Sequence, residues 1–255
     1  MTPSNASQST HALIVGANGG IGLGFVQALL AQSSVQVYAT YRDPNRAQAL
    51  LTLAQSQSDR LKVYPLDLTD EDQVSQLVTL IQAETPVLHQ VINCVGVLHE
   101  GTYQPEKSLR QINSDQLMHY FQVNSIGAVL LAKHLLPLFR HGDRSLFASI
   151  SAKVGSIEDN RLGGWYGYRA SKAALNMFMK TIAIEYTRKC PNTIVVALHP
   201  GTTDTSLSKP FQANVPPEKL FSVERTVGQL LTVLDSLTPA DTGNFYSWDG
   251  SRLPW

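Results

Sequence analysis

The stretch HALIVGANGGIG, residues 11–22, decides how the rest of the chain is read. Its first half, His11–Val15, is a short apolar run of β type. Its second half places Gly16, Gly20 and Gly22 in a Gly-x-x-x-Gly-x-Gly spacing, with Asn18 and Ile21 between them, just where a segment of helical period opens. A glycine-rich turn from strand to helix lets the backbone approach a ligand closely. The helix N-terminus behind it offers unpaired N–H groups and a positive dipole end, a seat for a pyrophosphate. Any tight turn needs glycines too. The position directly after the first strand is what gives the cluster its weight.

Outward from this turn, apolar β-type runs recur at Val35–Thr40, Leu61–Tyr64, Val87–Asn93, Leu146–Ser151, Thr193–Leu198 and Asn244–Ser247. Helical segments lie between them, near Ile21–Gln32, Pro44–Gln57, Asp70–Ala83, Asp115–Phe139, Gly167–Arg188 and Val223–Leu237. Thr69 with Asp72 reads as a capping box and Ser114 as an N-cap. Seven strands alternating with helices predict an α/β protein. It is a single doubly wound Rossmann-type domain over residues 11–255, with a seven-stranded, mainly parallel sheet and helices on both faces. Residues 1–10 read as a polar tail.

Composition narrows the function. Hydrophobic residues make up 43% and charged residues 16% of the 255, enough for a large core, and twenty basic residues balance twenty acidic ones. That balance leaves no electrostatic footprint for nucleic acid or an anionic membrane. No apolar stretch is long enough to span a bilayer, and the N-terminus lacks the basic region of a signal peptide. Cys94 and Cys190 form neither a metal-spaced pair nor a disulfide framework, and the seven histidines show no ligand spacing, so no metal is expected. A cytoplasmic protein acting on a small molecule is the expectation.

In a doubly wound sheet the ligand lies outside the carboxyl ends of the strands. At the end of the second run stands Ala39-Thr40-Tyr41-Arg42-Asp43. An acidic residue there would hold a ribose 2′-hydroxyl; Arg42 instead suits a 2′-phosphate, which favours NADPH over NADH, against the plainer alternative of a solvated loop arginine. The segment Tyr168-Arg169-Ala170-Ser171-Lys172 opens a helix, and its i, i+4 spacing sets a phenol beside an ammonium. A free phenol has a pKa of about 10, and half ionisation near pH 7 requires about 4 kcal/mol of differential stabilisation. A neighbouring cation works in that direction. The pattern alone is common on helix faces, but here it follows a strand end bearing Ser149 and Ser151, whose hydroxyls suit a substrate carbonyl.

Taken together these residues resemble the short-chain dehydrogenase/reductase family over essentially the whole chain after its first ten residues. The resemblance implies that Gly16–Gly22 is the cofactor turn and that Asp67, with Leu68 beside it, contacts the adenine. Asn93-Cys94-Val95-Gly96 is similar to the family's Asn-Asn-Ala-Gly stretch, and Asn124 to the asparagine that extends the proton relay. Tyr168 and Lys172 fall on the catalytic pair. Pro200, Gly201, Thr203 and Thr205 fall on the segment covering the nicotinamide, and Thr242-Gly243 with Asp249-Gly250 resembles the last strand. Leu162–Gly164 and Tyr168–Met177 resemble the branch holding C-factor and the sniffer-type carbonyl reductases. The implied activity is NADPH-dependent reduction of a ketone or aldehyde, or its reverse, in a homodimer or homotetramer.

Local readings stand beside these. Asp67 would cap a turn, Asn93 would tie loops together, and Asn124 would need a structural hydrogen bond inside an apolar helix. One position departs from the family: the residue three before Gly155, ordinarily a catalytic serine, is Ala152. The nearest hydroxyl is Ser151, to which the carbonyl hydrogen bond is assigned, on condition that the strand end is distorted, since adjacent strand residues face opposite ways. The substitution also supports an alternative, an NADP(H)-binding sensor with little turnover. A sugar-nucleotide epimerase ranks below both, because only a short segment follows Pro200 to build a substrate lobe.

Overall fold

In a computed structural model, which describes residues 9–255, each of the seven apolar runs forms a strand of one sheet. Along the chain come β1 (Thr10–Val15), α1 (Gly20–Leu30), β2 (Val35–Tyr41), α2 (Gln48–Ser56), β3 (Leu61–Pro65), α3 (Glu71–Glu84), β4 (Gln90–Asn93), α4 (Ser114–Phe121) and α5 (Gly127–Leu135). The second half supplies β5 (Ser145–Ile150), α6 (Tyr166–Lys189), β6 (Thr193–His199), β7 (Thr202–Thr203), β8 (Leu220–Phe221), α7 (Val223–Ser236) and β9 (Asn244–Ser247). The sheet order is β3-β2-β1-β4-β5-β6-β9 and every neighbouring pair is parallel. The expected tail lies outside the described residues apart from Ser9 and Thr10.

Side chains alternate across the strands and divide the core in two. Leu13, Val15, Val91, Phe147 and Ala197 pack under α3, α5 and α6. Ala12, Ile14, Ile92, Ala148 and Val196 pack under α1 and α7. With both faces covered, the strands read as continuous apolar runs. The order reverses between β1 and β4, so the ligand crevice opens above that junction.

Local chemistry moved several boundaries. Asp70, not Thr69, caps α3, accepting from Asp72 N and Gln73 N, while the Thr69 hydroxyl turns back to Asp67. Asn113, not Ser114, caps α4 by accepting from Gln116 N at 3.0 Å. The segment expected as one helix over Pro44–Gln57 splits: Asp43 caps a short 3₁₀ turn at Pro44–Arg46 and α2 starts at Gln48. Between α4 and α5 the helix widens into a π turn at Gln122–Ile126, a geometry that concentrates at functional sites. The small parallel pair β7·β8 is too short to give a periodicity signal.

Candidate active site at the carboxyl ends of the strands

The glycine turn is built for an anion. Gly16 N donates to the Thr40 hydroxyl at 3.1 Å and Ala17 N to Thr40 O at 2.7 Å, which ties the turn to the end of β2. A Cβ on Gly22 would lie 2.2 Å from Gly16 O, so only glycine fits. At Gly19, the N-cap of α1, no side chain satisfies the first-turn amides, whereas Asp70, Asn113 and Ser222 cap α3, α4 and α7. Free amides at a helix N-terminus beside a crevice fit a dinucleotide phosphate. Asn18 and Ile21 are partly buried in this turn, and the Thr205 methyl would sit 3.1 Å from a Cβ on Gly20, so the segment after β6 closes over it.

Tyr168 and Lys172 both lie on the buried face of α6, 6% and 3% exposed. Lys172 Nζ stands 5.9 Å from the centre of the Tyr168 ring and donates to Ile150 O at 2.9 Å. Gly96 leaves room for it, since a Cβ there would fall 3.2 Å from Nζ. Burial pushes the Lys172 ammonium down to about 8. It pushes the Tyr168 phenol above its ordinary 10, with Tyr120 adding to the rise. Desolvation of the enclosed phenol sets this direction, while the ammonium directs its proton at the Ile150 carbonyl.

Asn124 sits in the π turn. Its Oδ1 accepts from Val97 N at 2.7 Å, and its Nδ2 donates to Val97 O and to the Ser171 hydroxyl, both at 2.9 Å. Its side chain is therefore spent on joining the loop after β4 to α6, as the structural reading required.

Ser151, expected as the carbonyl donor, has its hydroxyl engaged by another side chain. The strand ends at Ile150, and Ala152 remains extended at φ −149° and ψ 144°. Its hydroxyl is buried and donates to Asn176 Oδ1 at 2.7 Å. Asn176 lies eight residues beyond Tyr168 on α6, about 12 Å along the axis. Ser156 is engaged as well, donating to Trp255 O and accepting from Asp159 N. Ser149 faces Asn93 Nδ2 at 3.4 Å.

Beyond β3 and β4, Asn93 Oδ1 accepts from Val95 N at 3.1 Å, and Leu68 packs against Gly127 of α5. The Asp67 carboxylate receives Thr69 N at 2.9 Å and the Thr69 hydroxyl at 2.7 Å. Arg42 is paired with Glu100, which also meets His119 Nε2 at 2.9 Å. Beyond β6, Gly201 takes φ +73° after Pro200, and the Thr203 hydroxyl turns away to Thr226 at 2.8 Å.

The loop after β4, the loop before α6 and the segment between β7 and β8 each contribute one ring to a wall beside Tyr168. Trp165 meets Tyr168 edge-on at 6.2 Å, Phe211 meets Trp165 at 5.1 Å, and His99 lies 5.8 Å from Phe211. Sequence reasoning missed Glu100, Glu106, Gln116 and Tyr120, which act in pairs across loops and carry no motif of their own.

Parallel strands with a phosphate-fitting turn at the crevice, and a buried Tyr–Lys pair beyond it, define a dinucleotide-dependent α/β oxidoreductase. The chain belongs to the short chain dehydrogenase family, whose sequence profile matches residues 10–216. It is an NAD(P)-dependent enzyme of that family and resembles the C-factor and sniffer branch. A short chain dehydrogenase of Penicillium aethiopicum is 28% identical over 259 residues, covering 95% of this chain and 98% of that protein. The C-signal protein of Myxococcus xanthus is 29% identical over 58% of this chain and 84% of its own. Among solved structures, the NADPH-bound carbonyl reductase from chicken fatty liver superposes with a TM-score of 0.86 at 30% identity, covering 97% of this chain and 95% of that one. The carbonyl reductase Sniffer of D. melanogaster gives 0.85 at 26% identity, covering 97% and 100%. No helix among the described residues is long and apolar enough to cross a membrane.

Proposed function

We propose that the enzyme uses NADPH to reduce a small ketone or aldehyde that carries a flat apolar group, or catalyses the reverse reaction. The observation that carries this reading is the buried Tyr168–Lys172 pair facing the Trp165–Phe211–His99 wall. Bound NADPH supplies a hydride to the carbonyl carbon. Tyr168 gives its proton to the carbonyl oxygen, and burial suits this role because it keeps the phenol protonated until the oxygen gains charge. Lys172, beside Gly96, is placed to hold the ribose of the nicotinamide half. Asn124 holds Val97 and Ser171 in place and positions a water that links Lys172 to solvent. Arg42 favours the 2′-phosphate of NADPH.

We further read residues 11–255 as one cytoplasmic domain. It associates as a homodimer or homotetramer through exposed Met118 of α4 and Tyr166, Met177 and Ile184 of α6; light scattering measures this directly. Ala152 and the engaged Ser151 hydroxyl favour a second reading, an NADP(H)-binding sensor with little turnover. NADPH oxidation across a panel of aromatic and aliphatic carbonyl compounds separates the two. Turnover that vanishes in Tyr168→Phe supports the reductase, and tight NADPH binding with no turnover on any member supports the sensor.

A further inference from the structure

We propose that Glu106 is a positioning residue: its carboxyl, supplied by the loop after β4, caps the first turn of α6 and thereby fixes where Tyr168 stands. The proposal rests on the reading of Tyr168 as the proton donor. The 24-residue α6 begins without a cap of its own. Its N-cap is Trp165, in the left-handed region at φ 52°, with a ring that accepts nothing from the following amides. Glu106 takes over that task. Its Oε2 accepts from Gly167 N at 3.1 Å, and its backbone oxygen accepts from Trp165 N.

The other carboxyl oxygen continues inward. Glu106 Oε1 accepts from Gln116 Nε2 of α4 at 3.1 Å, and the same amide donates to Gln104 O at 2.7 Å. Tyr120, one turn further along α4, donates to Leu98 O at 2.7 Å and sets its ring edge-on to Tyr168 at 6.4 Å. Gly167 is the contact point: a Cβ there would lie 2.5 Å from Tyr120 and 2.9 Å from Glu106 Oε1. The loop, α4 and the first turn of α6 are thus locked by one side chain that is only 2% exposed. No lysine or arginine pairs with Glu106 among the described residues. An enclosed carboxyl without a cation is costly unless hydrogen-bonded, and the dipole of a long helix offsets part of that cost. Tyr168 is the residue after Gly167, and misplacement by about 1 Å far from the chemistry can cost about 10²-fold in rate.

The test compares Glu106→Ala and Glu106→Gln with the parent, using 4-nitrobenzaldehyde and NADPH. Gln keeps an acceptor for Gly167 N. Expected are a kcat lower by about 10- to 100-fold in the Ala variant, an NADPH Kd within about threefold, and recovery to within about threefold of the parent kcat in the Gln variant. Hydrogen exchange in the peptide covering 166–172 is expected to quicken at least about tenfold in the Ala variant only. Should that variant fail to fold, Glu106→Asp, one methylene short of Gly167, takes its place. A folded Ala or Asp variant with parental kcat or parental exchange in this peptide overturns the proposal. If the parent binds NADPH but does not turn over the aldehyde, the reading of the reaction fails instead, and the exchange rate alone decides the cap.

Discussion

Arg42, in the turn after β2, pairs with Glu100, in the loop after β4, and because β1 lies between those strands the pair reaches across the mouth of the cofactor crevice. The guanidinium that a 2′-phosphate would need is therefore shared with a carboxylate, which itself is held by His119. An exposed pair of this kind is worth little to stability, so its influence falls on ligand choice. A dianionic phosphate outcompetes a single carboxylate for a bidentate donor.

Cofactor preference follows from that competition. Arg42→Ala should weaken NADPH binding by about 1–3 kcal/mol and leave NADH nearly untouched. Glu100→Gln should tighten NADPH by several-fold with no gain for NADH. Fluorescence titration of both cofactors against both variants checks this. Equal losses for NADPH and NADH in Arg42→Ala would show that Arg42 acts on something other than the 2′-phosphate.

Removing the proton donor gives a second prediction. Tyr168→Phe keeps the ring contacts with Trp165 and Tyr120, so cofactor affinity should change by no more than a few fold. Turnover should fall by about 10²-fold or more, the scale for losing a general acid. Steady-state kinetics beside a cofactor titration reads both quantities, and turnover within threefold of the parent would remove Tyr168 from the chemistry.

What could be read from the chain tracks how local the cause is. The strands and the glycine turn were legible because alternation, apolar runs and a missing Cβ are properties of consecutive residues. Tyr168 and Lys172 were legible because i and i+4 share a helix face. The Thr69 cap failed because Asp70, one residue on, accepts from Asp72 N and Gln73 N, while the Asp67 carboxylate draws the Thr69 hydroxyl away. The rise of the Tyr168 phenol was not legible because it depends on enclosure in the folded protein, with Tyr120 of α4 adding to it from far along the chain. Glu100 and Glu106 were invisible because each acts on a partner 58 or more residues away.

Acid sensitivity is a third prediction. His199, at the end of β6, accepts from Lys153 N at 3.3 Å, and burial with the Lys153 charge lowers it from 6.5 to about 4. Burial lowers His11 and His89 as well. The unfolded chain takes up these protons near pH 6.5, whereas folded His199 resists until near 4 and His11 and His89 resist in the same direction, so folding stability falls as the pH drops below 6.5 and the His199 part levels off below about 4. For His199 the gap amounts to about 3 kcal/mol at most, and to about 2 kcal/mol once the water reaching its partly buried ring is allowed for. Urea midpoints measured from pH 7 to 4.5 should decline, and His199→Gln should decline less. A variant that tracks the parent across the window would show that His199 is protonated without penalty.

The last prediction concerns Ala152 and Ser151, where this chain departs from its family. With the Ser151 hydroxyl held by Asn176 at 2.7 Å, Ser151→Ala should act on stability rather than chemistry. It strips a buried acceptor of its donor, at a cost of about 1–3 kcal/mol, while kcat stays within about threefold. Ala152 is extended and follows directly on Ser151, so alternation turns its Cβ away from the Ser151–Asn176 side. Ala152→Ser should therefore add a hydroxyl where none is engaged. A preorganised donor at a developing oxyanion is worth about 10²–10³-fold; one installed without supporting partners should still raise kcat about tenfold, with cofactor affinity unchanged. The combined result separates the two positions, a gain in turnover from residue 152 and a loss of melting temperature from residue 151. If Ala152→Ser leaves kcat within twofold while Ser151→Ala abolishes it, the substrate oxygen lies on the Asn176 side and the assignment of the site must be turned over.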